Sequence, residues 1–228
     1  MADDVYRRFR AAAVQVAPVF LDREATIEKL EGWVAKAKSA GADLVVFGES
    51  YIPAFPLWNM LYAPVDQHAF YRRLFANAIE VPGPHVKQLG DIARRHRTIL
   101  SVGITEKGSV SMGAMWNTNL LFDTDGRLLN RHRKLVPTWA EKLTWANGDA
   151  SNLRVETTAV ARLGALICGE NTNTLARFAL LAQGERCTSP PIHRLGRPGV
   201  KEPVRTITSP KPFASARPRT PLRARSSM

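Results

Sequence analysis

The chain has 228 residues, 45% of them hydrophobic, which suits one domain with a real core. No apolar run approaches the roughly 18 residues of a membrane-crossing helix, the N-terminal stretch lacks the apolar centre of a signal peptide, and no membrane partner is expected. Two cysteines make no disulfide framework, so a cytoplasmic setting is expected, and the net charge of +12 raises the question of nucleic acid.

Ala11–Val16 is a short apolar run bounded by Pro18 and reads as a buried strand. From Asp22 to Ala40, Ile27, Leu30, Val34 and Ala37 recur at three- to four-residue spacing. That predicts a helix with Gly41 at its C-terminal end. Leu44–Phe47 predicts a strand that stops at Gly48, with Glu49 just beyond. Val65–Ile79 predicts a second helix, Pro82-Gly83-Pro84 a turn, and Val86–Arg95 a third helix. Thr98–Val102 is a strand. Asn119–Phe122 and Arg127–Asn130 flank a turn at 123–126 and predict a hairpin. Val160–Ile167 is an apolar strand ending at Cys168, and Thr172–Gln183 is a helix. Alternating strands and helices with one hairpin predict a layered α/β or α+β domain.

Three of these runs end in a chemically capable residue: Glu49, Lys134 and Cys168. Each alone has an ordinary reading: a solvated loop acid, a solvated basic face beside Arg131–Arg133, and a buried inert thiol. As a set they match one chemistry. A thiol becomes a strong nucleophile only when a base or cation makes it thiolate. A carboxylate can take that proton and later activate water, and a fixed ammonium can stabilise developing negative charge. Glu141, seven residues after Lys134, could position it, or equally pair with Lys142 on the surface. Phe55, Trp58 and their neighbours in 54–62 read first as core and second as pocket lining, since they follow Glu49 directly. His68, His85, His96, His132 and His193 show no metal-ligand spacing. Phosphate-cradling loops and a GxSxG elbow are absent from the sequence, so no cofactor or metal is expected.

The segments FGESYIPAFP (47–56), HRKLVPTWAEK (132–142) and LICGENTN (166–173) resemble, in order, the three signature segments of the nitrilase branch of the carbon–nitrogen hydrolase superfamily. The similarity runs over residues 9–185. It implies an αββα sandwich, incomplete at the C-terminus, and a cofactor-free mechanism. In that mechanism Glu49 is general base, Lys134 stabilises charge, Cys168 attacks a nitrile carbon to give a thioimidate, and Glu141 supports. Tyr51, Trp139, Glu170 and Asn171 are expected around the substrate. The products would be a carboxylic acid and ammonia, and a homo-oligomer is expected. The alternative within the superfamily is an amidase, carbamoylase or cyanide-converting relative using the same three residues. A non-catalytic partner of an intact copy is a further possibility.

After Glu185 the character changes. Residues 1–185 hold 22 Lys/Arg against 19 Asp/Glu, whereas residues 186–228 hold 10 against Glu202 alone, with eight of the fifteen prolines and Phe213 as the one aromatic. The basic excess therefore belongs to a tail expected to be disordered, and a specific nucleic-acid binder is the weaker reading. The tail also has a coding explanation. One nucleotide lost after Glu185 turns an encoded QVHISTYPP into the observed 186–194. The same frame lets 209–223 encode LAEAIRIRAAAHSFE, an amphipathic helix. Residues 186–228 are thus expected to be out of frame, and the 228-residue chain poorly soluble with little activity, because its sheets would lack strands.

Overall fold

The computed structural model describes residues 8–109, 111, 113–188 and 204–208, the last five by their backbone. The chain opens with β1 (Arg10–Val14), α1 (Arg23–Ser39) and β2 (Leu44–Phe47). A helical crossover lets two neighbouring strands run parallel, and β1 and β2 do, with Ala11 opposite Leu44. Asp22 caps α1 by accepting from the Ala25 N–H at 3.0 Å, and Gly41 follows the helix with φ 80°. α2 (His68–Asn77), β3 (Ile79–Glu80) and α3 (Pro84–His96) lead to β4 (Ile99–Lys107), parallel to β2. β5 (Met115–Phe122) and β6 (Leu128–Arg133) form the expected hairpin, both antiparallel.

These strands belong to a seven-stranded sheet in which β4, β2 and β1 are central and β3 pairs beside β4. Alternation along each strand divides its two faces. Val45, Phe47, Leu100, Val102, Leu120 and Phe122 meet Ile27, Leu30 and Val34 of α1 and Leu89 and Ile92 of α3. Leu44, Ile99 and Leu121 face the other way, against Leu163 and Cys187. Those two residues lie in a smaller sheet of β7 (Glu156–Thr157), β8 (Arg162–Gly164) and β9 (Cys187–Thr188). On its far side α4 (Thr174–Ala182) packs Ala176 and Leu180 against Leu166 and Val155. The layers are therefore helix, sheet, sheet, helix, with the second sheet much the narrower.

β4, β5 and β6 run beyond the expected 98–102, 119–122 and 127–130, and four further departures have a local reason. The segment 65–79 divides into a 3₁₀ turn (Pro64–Asp66), α2, and β3. The break falls at Gln67, whose side chain donates to the Tyr62 carbonyl at 2.8 Å, and Ile79 leaves to pair with Glu106. The strand expected over 160–167 keeps only Arg162–Gly164 in the ladder, because its neighbours offer two residues each. The helix expected from Thr172 begins at Thr174 behind an Asn173 cap, after a 3₁₀ turn (Cys168–Thr172). Finally, two pieces of the tail expected to be disordered are strands: β9, and β10 (Val204–Thr208) antiparallel to β1. The free edge of β1 presents unpaired backbone groups, and Val204, Thr206, Ile207 and Thr208 are β-branched, which suits them to fill it. The rest of that tail lies outside the described residues. Among the described residues no helix is long and apolar enough to cross a membrane.

Candidate active site

Glu49 follows β2 and is buried. The close approach of β4 sets its position. A Cβ added at Gly103 would stand 2.4 Å from the Gly48 carbonyl and 2.5 Å from the Ser50 nitrogen, so glycine is required there. Ser50 is left-handed, φ 44°, and its hydroxyl bonds the Ala54 carbonyl at 3.1 Å and the Thr105 hydroxyl at 2.7 Å. Left-handed backbone costs a non-glycine residue roughly 1–2 kcal/mol, so such residues persist where their surroundings hold them. Trp139 (φ 45°) and Cys168 (φ 49°) are two more, both in segments expected to carry chemistry.

Lys134 leaves β6 and is 1% exposed. Its ammonium donates to Glu49 Oε1 and to Glu141 Oε2, each at 2.7 Å. Glu141 is held in turn by the Thr138 N–H at 2.9 Å, at the start of a 3₁₀ turn (Trp139–Leu143). This decides between its two readings: Glu141 pairs with Lys134. Burial disfavours the charged amine, but the two carboxylates outweigh it and raise the Lys134 pKa above its ordinary value. Burial also pushes the Glu141 carboxyl up, with the charge of Glu49 adding to it.

Cys168 ends the extended run after β8, half-buried. Its thiol sits in the fields of Glu49, Lys134 and Glu141. Burial and the Glu49 charge raise its pKa, partly offset by Lys134 and the Gly169 N–H. The resting sulfur is therefore protonated near neutral pH and needs a base to become a nucleophile. Stretches of chain separated by 85 residues (Glu49 to Lys134) thus meet at one place.

Trp139 is 78% exposed and, with Phe55, Pro56, Met60 and Thr138, lines a cavity of about 120 Å³ that reaches Glu141. The aromatic run after Glu49 therefore serves two ends. Phe55 and Met60 face this cavity, while Ala54 and Trp58 join the core around Leu74 and Trp145. Three other residues expected around the substrate do not line this cavity. Tyr51 is 4% exposed and packs on Phe47, their ring centroids 4.9 Å apart. Glu170 is buried and bonds inward, to the Leu135 and Ile167 N–H groups at 2.6 and 2.7 Å and to His132 Nε2 at 3.0 Å. Asn171 spends its amide on the Leu166 and Cys168 carbonyls, each at 3.0 Å. Glu170 and Asn171 thus spend their polar groups within the fold, whereas the buried Tyr51 hydroxyl has no hydrogen-bond partner among the described residues.

The sequence gives little sign of Asn117, which donates to Glu49 Oε1 at 2.7 Å. Only the pairing of β5 with β4 and β6 brings it there. Nor does it reveal that buried Glu106 accepts from Arg131 and Arg133, each Nε at 3.0 Å, and so ties down the end of β6 just before Lys134.

Residues 10–195 match the family described as Carbon-nitrogen hydrolase. The chain is 40% identical over 179 residues to a nitrilase from Paraburkholderia phymatum, covering 78% of this chain and 52% of that one. It is 39% identical over 180 residues to Nitrilase 1 of Arabidopsis thaliana, covering 77% and 51%. An amidase from Nesterenkonia sp. AN1 shares the fold at a TM-score of 0.62 and 20% identity, over 81% of this chain and 66% of that one. The chain spans about half the length of the curated relatives it matches. With the layered sheets, the buried Glu49–Lys134–Glu141 cluster and the family match over most of its length, this chain belongs to the carbon–nitrogen hydrolase family.

Proposed function

We propose that this chain carries the catalytic centre of a nitrile aminohydrolase. One observation carries the reading: an ammonium bonded at 2.7 Å to two buried carboxylates, with a thiol in the field of all three. The names of the relatives, nitrilases at 39–40% identity, favour a nitrile over other carbon–nitrogen substrates.

Glu49 takes the Cys168 proton as Sγ bonds to the nitrile carbon, and the nitrile nitrogen is protonated to give a thioimidate. Water activated by Glu49 adds to that carbon and ammonia leaves, giving a thioester. A second water releases the carboxylic acid and regenerates the thiol. Lys134 stabilises negative charge that develops during these steps, and Glu141 keeps its ammonium in place. The apolar cavity beside Trp139, Phe55 and Met60 suits a compact apolar substituent on the nitrile.

Assembly of copies belongs to the same proposal. Leu175, Phe178 and Leu181 of α4 are 79%, 69% and 57% exposed, an apolar stripe suited to a second copy. Both cysteines are free thiols, which suits the cytoplasm. The test is ammonia release from a panel of nitriles, by this chain and by one with the frame restored after Glu185, each beside Cys168→Ala. Release that depends on Cys168 is expected from the frame-restored chain, with little from the 228-residue chain; undiminished release by Cys168→Ala would remove the nucleophile.

A further inference from the structure

Glu170 makes three bonds, and their partners are unusual in kind. Oε1 accepts from the N–H of Leu135, the residue after Lys134, at 2.6 Å. Oε2 accepts from the N–H of Ile167, the residue before Cys168, at 2.7 Å, and meets His132 Nε2, two residues before Lys134, at 3.0 Å. The Glu170 and His132 side chains are 4% and 1% exposed. A single carboxylate therefore joins the two reactive segments through their backbones. Charge-assisted bonds of this length are short and directional, so they fix separation and orientation together. Asn171 adds to the hold by gripping the Cys168 carbonyl from the other side of the turn.

We propose that Glu170, oriented by His132, is a positioning residue that keeps the Cys168 turn in register with Lys134. The left-handed backbone of Cys168 supports this, because a strained residue needs its neighbours pinned. Glu170 touches no reacting atom in this arrangement. It acts through the main chain on either side of two residues that do. This inference rests on the role given above to Cys168, but its test needs no turnover.

The test is the pH profile of iodoacetamide alkylation at Cys168 and at Cys187, followed separately by peptide mass spectrometry in the full 228-residue chain. Cys187, in β9, is an internal reference for the fold. Glu170→Gln keeps the shape but puts an amide N–H₂ against N–H donors. Release of the turn frees the thiol from burial and from the Glu49 charge, two of the causes that now raise it. The midpoint at Cys168 should fall, giving a roughly tenfold faster reaction near neutral pH, with Cys187 unchanged. An unchanged Cys168 profile overturns the proposal. If both thiols shift together the variant has lost its fold, and His132→Asn, which leaves both backbone bonds in place, decides. A smaller shift at Cys168 alone is then expected, and no shift, or a shift of both, overturns the proposal. A chain that hydrolyses no nitrile still reports on Glu170, so the two failures are separable.

Discussion

Asn117 and Lys134 are bonded to each other and converge on one atom. The Lys134 N–H donates to the Asn117 carbonyl at 2.8 Å, and both side chains donate to Glu49 Oε1 at 2.7 Å. The β5–β6 ladder thus delivers a neutral and a charged donor to the same carboxylate oxygen. A carboxylate held this way keeps its orientation.

Replacing Asn117 by Ala should therefore loosen the base. A bond to a charged group contributes about 1.5–3 kcal/mol, so kcat/KM should fall roughly 10- to 100-fold. An unchanged kcat/KM would show that this bond does not position the base.

Lys134→Met removes the cation bonded to both Glu49 and Glu141. Two buried carboxylates then face each other, and breaking a buried pair in this way costs about 3–5 kcal/mol. The loss should be largest above neutral pH and shrink in acid, because burial and the Glu49 charge hold the Glu141 carboxyl above its ordinary value and losing Lys134 removes what opposes them, so folding takes up a proton. Urea melts at several pH values check this; equal losses at all of them would contradict it.

The wild-type chain should have two pH limits of known sign. The Lys134 pKa is raised in the fold, so its stabilisation is complete below the ordinary value of 10.5 and is lost as pH rises through the folded value. Burial would raise the Glu106 pKa, but Arg131 and Arg133 hold it below its ordinary 4.5. Its contribution is present above that value and is lost as pH falls through the folded one. Glu106→Gln should flatten the acid limb of a thermal-melt series and leave the alkaline limb alone.

Gly103→Ala adds one methyl group and should act on Glu49 through the backbone. Its Cβ would meet Gly48 and Ser50 at 2.4–2.5 Å, so one strand must shift. Overpacking of this sort costs about 1–3 kcal/mol. Activity should fall further than a surface Gly→Ala control, Gly32→Ala, where nothing lies within 4 Å of the added atom.

The coding explanation of the tail makes its own prediction. Genomic DNA across codons 184–190 should show a frame that continues as QVHISTYPP when one nucleotide is restored, and the restored chain should be the more soluble. An unambiguous in-frame read, with nothing sensible in the alternative frame, removes it.

Local chemistry made much of this protein legible from its sequence. The α1 cap and end, the Leu44–Phe47 strand and the β5–β6 hairpin depend on neighbours within a few residues, and so they could be read directly. Glu49, Lys134 and Cys168 were legible as residues of the right types at strand ends, and the signature segments placed them in a family. Only the tertiary structure decided how polar groups pair. From the sequence Glu170 is expected around the substrate, and Asn117 lies outside the strand expected at 119–122. Strand register and burial determine where each side chain points, and those are set by contacts tens of residues apart. The same reason explains β8, whose apolar run promised eight residues of strand and kept three, because ladder length belongs to the partner strands as much as to the strand itself.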